Sequence, residues 1–273
     1  MAPEPTPKTE KKRNKSKDLV PFPEVQKRLR LFKEHYRGLK AIPVKAIVGS
    51  VGKSSQFDRD FRSRVTDQRK RMRQIGLAFP DGDFPPIKVF QVSDVFFVRD
   101  GHIRVAVAKA KGIEFIDAEI TELETEEAIP PDADMVDVIH LEQHRRLLAD
   151  TGLGTVRPDA DILVSLPVGY AKIRESIAVH GYRLLQEGGE ILSREEVAGD
   201  WYDRVYRPAI GALRQAGLVE AFSTSTETDL FLWVEERRRS MFPERGDLGL
   251  EDVAREEGRA AGAKPQEQPE ITP

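Results

Sequence analysis

Phe96-Phe97-Val98-Arg99-Asp100-Gly101-His102-Ile103-Arg104-Val105-Ala106-Val107-Ala108-Lys109-Ala110-Lys111-Gly112 runs from an apolar stretch, through a charged glycine turn, into a helix-forming segment. A helix that starts straight after such a turn presents unpaired backbone N–H groups and the positive end of its dipole, so the junction suits an anion. Arg104 adds a guanidinium able to hold a phosphate or carboxylate through two parallel hydrogen bonds, with His102 beside it.

Outward from this junction the pattern is that of a small mixed unit. Upstream, Ile87 to Val92 and Val95 to Val98 alternate like strands around Ser93-Asp94, which suits a tight hairpin. Downstream, Gly112 is placed to cap the helix 103–111, and Phe115 to Thr121 alternates as a further strand. Val25, Leu29, Leu31, Phe32 and Tyr36 recur near helical spacing, which predicts an amphipathic helix over 22–39. Lys40 to Val48 reads as a short strand ending at Gly49-Ser50-Val51-Gly52, and 61–79 as a second helix, stopped by Asp81-Gly82-Asp83-Phe84-Pro85-Pro86. The expectation is an α+β domain over 20–124.

The second half reads differently. Residues 125–158 are acidic, contain Pro130-Pro131 and read as a linker. Residues 159–246 read as a mainly helical domain, with a strand at 162–166 and helices at 169–187, 194–216 and 227–241. Ser193 and Glu196 form a capping box for the middle helix. Trp201, Tyr202, Tyr206 and Trp233 lie at helical spacing beside apolar residues and read as core. Pro208 argues against a helix-turn-helix, leaving this domain as a surface for a protein partner. The terminal segments 1–19, a basic arm, and 247–273 read as disordered.

Of the 273 residues, 33% are charged and none is cysteine, which excludes disulfides, thiolate metal sites and a Cys nucleophile. No apolar run reaches membrane-spanning length and the first residues lack the core of a secretory signal, so the expected setting is cytoplasmic, with no membrane partner. The net charge of -3 hides an uneven distribution, because residues 53–73 hold eight cations against three carboxylates. Arg62, Arg69, Arg71 and Arg73 are therefore candidates for contacting DNA, although a like-charged run also serves as a solvated helix face.

Two other motifs stand out in the chain. Gly49-Ser50-Val51-Gly52-Lys53-Ser54 follows a strand like a P-loop, but Ile47 stands where that motif needs its first glycine. What remains is a local anion contact from the loop amides or Lys53. His140 and His144 are four apart without the glutamate of the zinc-protease helix, so no metal ligand set stands out.

From about Lys40 to Thr121 the chain resembles the ParB N-terminal and sulfiredoxin superfamily. The likeness is carried by Ile42-Pro43-Val44, Pro85-Pro86-Ile87, Phe97-Val98-Arg99-Asp100-Gly101 and the Gly-x-x-Arg turn Gly101-His102-Ile103-Arg104. It implies a small mixed-sheet domain with a phosphate pocket made by Gly101, His102, Ile103 and Arg104, and by Gly49, Ser50, Gly52 and Lys53 from the facing loop. The implied ligand is a nucleoside triphosphate, CTP or ATP, with Mg²⁺, for which Asp58, Asp60 and Asp100 are the nearest carboxylates. Sulfiredoxin chemistry is excluded, since its cysteine falls at His102.

The second half, on Asp200 to Pro208 and Thr226 to Val234, resembles an uncharacterised bacterial region found fused to such domains. The resemblance points to a bacterial nucleotide-binding ParB-like regulator. The alternatives are a Mg²⁺-dependent hydrolase, kinase or nuclease on the same pocket with Asp100 catalytic, and a DNA-binding protein using the basic 59–73 stretch.

Overall fold

The computed structural model describes residues 16–125, 128–189, 191–245 and 248–261. The chain is α+β and divides into two compact units, the first ending at Glu142 and the second starting at Gln143. The arm and tail expectations for 1–15 and 262–273 lie outside the described residues.

Strands β1 (Val20–Pro21), β2 (Glu34–Pro43), β3 (Ile47–Ser50), β4 (Ile87–Val92), β5 (Val95–Asp100) and β6 (Phe115–Leu123) build one mixed sheet in the order β1-β3-β5-β4-β6-β2. β3 runs parallel to β1 and β5, β4 parallel to β6, and the β4–β5 and β2–β6 pairs are antiparallel. The hairpin closes with Val92 opposite Val95 and Ser93 at φ 51°, a left-handed turn matched to the twist of its strands.

Both faces of the sheet carry cover. Helix α1 (Phe22–Leu29) lays Phe22, Val25 and Leu29 on Phe90, Val92 and Phe97. On the opposite face lie helices α2 (Thr66–Ala78) and α3 (His102–Lys111), where Val105, Ala106 and Ala108 join Ile87, Val89, Val98 and Ile120. Full burial of each such aliphatic or aromatic side chain is worth about 1.5–3 kcal/mol. α2 has no buried residue. The Lys111 ammonium closes its carboxyl end by donating to the carbonyls of Gly76, Phe79 and Pro80 at 3.0, 2.9 and 2.9 Å.

Several expectations are corrected. The helix expected over 22–39 stops at Leu29, because Arg30 turns left-handed (φ 55°) and the Leu31 amide closes on the Gln26 carbonyl at 3.0 Å. The chain then forms β2, whose backbone is paired along β6, while Phe32, Tyr36 and Leu39 stay exposed. A 3₁₀ turn, Val44–Ala46, divides the strand expected over 40–48. α2 starts at Thr66 rather than 61, since Phe57 and Phe61 bury completely in turns before it.

In the stretch read as an acidic linker, helices α4 (Met135–Thr151) and α5 (Leu153–Val156) form; Val138 and Leu147 of α4 and Leu153 of α5 are buried.

The second unit is helical: α6 (Val168–Gly188), α7 (Arg194–Trp201), α8 (Arg207–Gln215), α9 (Leu218–Ala221), α10 (Glu227–Arg245) and α11 (Leu250–Ala261). Residues 162–166 are irregular, not a strand: the Ser165 amide bonds the Asp229 carboxylate instead of a neighbouring strand. α11 falls where a tail was expected, and anchors Val253 and Ala254 in the core. The capping box forms at Ser193 and Glu196, and Trp201 and Tyr206 are buried. Between α7 and α8 the helix widens into a π-turn, Tyr202–Tyr206, where the Arg207 amide reaches the Tyr202 carbonyl. Pro208 explains it: proline lacks the amide an α-helix would aim at the Arg204 carbonyl, and its ring would strike that carbonyl. Among the described residues no helix is long and apolar enough to cross a membrane.

Candidate functional site

β3 and β5 are neighbours and parallel, with Ser50 in register with Val98, so the turns after their carboxyl ends emerge side by side. Open sheets place ligands outside the carboxyl ends of such strands. Glycine is needed at two positions here, one inside β3 and one at the turn into α3. At Gly49 an added Cβ would lie 2.3 Å from the Val20 carbonyl oxygen and 2.4 Å from the Phe97 ring, and at Gly101 (φ 99°) it would lie 2.5 Å from Ile87.

A buried polar clamp joins the two turns. Ser50 Oγ and His102 Nε2 lie 2.7 Å apart, with Ser50 fully buried and His102 4% exposed. Ser50 Oγ also accepts from the amides of Lys53 at 2.9 Å and Gly52 at 3.3 Å, which folds the loop back on itself. Burial, and then the nearby Lys53 cation, lower the His102 pKa to about 4 from 6.5. Because Ser50 Oγ already accepts from two amides, its hydroxyl hydrogen is left to donate to the ring. The neutral imidazole therefore carries its proton on Nδ1, and Nε2 accepts from the Ser50 hydroxyl. The Phe57 ring stacks on the imidazole at 6.0 Å.

Arg104 is tied within the protein. Nη1 donates to the carbonyls of Pro85 and Pro86, each at 2.7 Å, and Nη2 to Asp100 Oδ2 at 2.6 Å. The guanidinium thus pins the Pro85-Pro86 segment to the start of α3. Its side chain is 19% exposed, whereas that of Asp100 is 65% exposed. The α3 N-terminus has no side-chain cap, which leaves its first-turn amides without a capping side-chain acceptor. Ile103 is half-buried against the core beside them.

Of the residues singled out in the sequence, Gly49, Ser50, Gly52 and Lys53 come together with Gly101, His102 and Ile103. The carboxylates do not assemble into a cation site: Asp58 accepts from the Arg62 amide at 2.8 Å and Asp60 lies 3.7 Å from the Arg62 guanidinium. Among the described residues no three His, Asp or Glu side chains could hold a metal ion together. Arg69, Arg71 and Arg73 are exposed along α2.

Sequence reasoning missed Lys109. Its ammonium lies under a groove of about 1050 Å³ beside α3, donating to the Arg59 carbonyl at 3.0 Å and standing 4.9 Å over the Phe61 ring. Burial lowers its pKa. The signal was available, because Lys109 sits seven residues after buried His102 on the stripe with Val105 and Ala106.

No known protein family's profile matches the chain, and no curated protein matches it. Among solved structures it is similar to a Pnob8-like ParB-N domain, at 11% identity over 85% of this chain and 98% of that one. The TM-score is 0.21, at which the likeness carries no argument.

Proposed function

We propose that the unit spanning 16–142 is a nucleotide-binding regulatory module that takes the phosphates of CTP or ATP, with Mg²⁺, between the Ser50–Lys53 loop and the first turn of α3. The observation that carries this reading is the Ser50–His102 hydrogen bond, which sets two amide-bearing turns side by side at the ends of parallel strands. Lys53 supplies a movable cation there. Arg104 takes part by exchanging Asp100 for a phosphate oxygen, since a pair with so exposed a carboxylate is worth only about 0–1 kcal/mol. The unit spanning 143–261 is, on this proposal, the surface for a protein partner. Regulation is preferred to phosphoryl transfer because Asp58 and Asp60 are engaged by Arg62 and its backbone, so that once Arg104 turns to the phosphate Asp100 is left as a lone carboxylate at the site.

Titration calorimetry with CTP, ATP and ADP, with and without Mg²⁺ and with hydrolysis followed, tests the reading. One nucleotide should bind saturably without turnover, and Lys53→Ala and Arg104→Lys should weaken it by about tenfold or more. Absence of saturable binding at millimolar nucleotide overturns it, and turnover that disappears in Asp100→Ala transfers the site to an enzyme.

A second reading, DNA contact through α2, is favoured by one observation. Arg69, Lys70, Arg71 and Arg73 are all exposed and make no ion pair among the described residues.

A further inference from the structure

The helical unit holds a cavity of about 270 Å³ of its own. It lies among α6, the π-turn, α8, α10 and the first turn of α11. Its volume falls just below the roughly 300–1,000 Å³ of sites for drug-sized molecules, which fits a smaller metabolite.

Charge of both signs is built into it. On one wall Glu235 is buried, its side chain 9% exposed. The Trp201 indole N–H donates to Ser176 Oγ at 3.1 Å, and the Ser176 hydroxyl donates to Glu235 Oε1 at 2.9 Å. Arg239 approaches that same oxygen at 3.6 Å. Glu235 Oε2 has no hydrogen-bond partner among the described residues, so a buried carboxylate offers one open oxygen to the cavity it lines.

The other lining charges are placed differently. Arg238, half-buried and three residues after Glu235 on α10, also lines the cavity and is engaged elsewhere in the protein. Arg183 and Arg204 are exposed. Arg204 pairs with Asp200 at 3.0 Å, to which His180 is also bonded at 2.7 Å, whereas Arg183 makes no ion pair among the described residues. Glu251 and Asp252 line the cavity too, yet both are drawn to Arg255, at 3.4 and 3.0 Å.

An inner open carboxylate oxygen repels a plain anion, and the guanidinium groups of Arg183, Arg204 and Arg238 repel a plain cation. A small molecule carrying an ammonium at one end and a carboxylate at the other meets both. We propose that this cavity binds a free amino acid, its ammonium on Glu235 Oε2 and its carboxylate on Arg183 and Arg204. The amino acid side chain then lies against Val179, Val205 and Ala209.

Calorimetry of the full chain with the standard L-amino acids, one at a time, tests this, with Trp201 fluorescence in a Trp233→Phe background as a second readout. One or a few amino acids should bind saturably. Glu235→Gln, which keeps an acceptor for Ser176, should weaken that binding by about thirtyfold or more, the usual result of removing one member of a buried charge pair. Arg183→Ala, at an exposed position the fold does not need, should weaken it by about tenfold. The N-acetyl and methyl-ester derivatives of the same amino acid should each bind more weakly. The proposal fails if no amino acid binds up to millimolar concentration, or if the N-acetyl derivative binds as well as the free amino acid. Should Glu235→Gln not fold, Arg183→Ala and the two derivatives decide the matter, because they leave the core intact.

Discussion

The Ser50 hydroxyl and the His102 imidazole meet at 2.7 Å in a place neither shares with solvent, and this one contact fixes the β3 loop against the start of α3. A buried donor without its partner costs about 1–3 kcal/mol, so each residue depends on the other.

The burial of His102, and then the nearby Lys53 cation, make stability depend on pH. The folded imidazole titrates at about 4, against 6.5 when free, so between those values the unfolded chain binds a proton that the folded one does not. This contribution is complete above the upper value and is lost as pH falls through the window, to a total of about 3 kcal/mol. Urea denaturation at about pH 4.5 and 7.5 should show it as a loss for the wild type that His102→Phe lacks. An equal loss in both proteins would place the acid sensitivity elsewhere.

Gly49→Ala forces a methyl group into the Val20 carbonyl and the Phe97 ring, both already closer than 2.5 Å to the Cβ position. Backbone cannot yield as a side-chain tip does, so the variant should lose about 1–3 kcal/mol, read as a lowered thermal midpoint. A neutral outcome would mean that β1 does not pack on β3 as described.

Arg104 and Asp100 should part company under mutation although they are bonded to one another. Arg104→Ala strips partners from two carbonyls and should cost about 1–3 kcal/mol, while Asp100→Ala loses an exposed pair worth about 0–1 kcal/mol. Denaturation of the two variants side by side checks this ordering.

On α2 the joint change of Arg69, Arg71 and Arg73 to Gln should leave stability within about 0.5 kcal/mol, since the helix buries nothing. If α2 contacts DNA, the same protein should retain duplex less well at low salt and show a shallower dependence of affinity on salt. Retention unchanged by the substitution would remove α2 from consideration.

The hairpin and α3 were legible because short-range rules govern them: alternation around Ser93-Asp94, and glycine at both ends of 102–111. β2 was misread because Leu29, Leu31, Phe32 and Tyr36 mimic a helical stripe, and only its distant partner β6 decides otherwise. The acidic stretch and Pro130-Pro131 concealed α4, whose buried Val138 and Leu147 depend on tertiary contacts. Around the candidate site, Gly101 and His102 could be singled out from the glycine turn, but not the partnership of Ser50 with His102, which are 52 residues apart. Nor could the sequence foretell that the Arg104 guanidinium spends its donors on Pro85 and Pro86, since backbone carbonyls leave no trace in residue identity.

The Lys111 ammonium that gathers three carbonyls at the carboxyl end of α2 has a dynamic counterpart. With no side chain of its own interred, α2 can detach by exposing little more than the partly covered Met72 and Ile75. Its amide protons therefore trade with deuterated solvent through a local excursion, well before those of β4, β5 and α3, whose release requires the sheet itself to come apart.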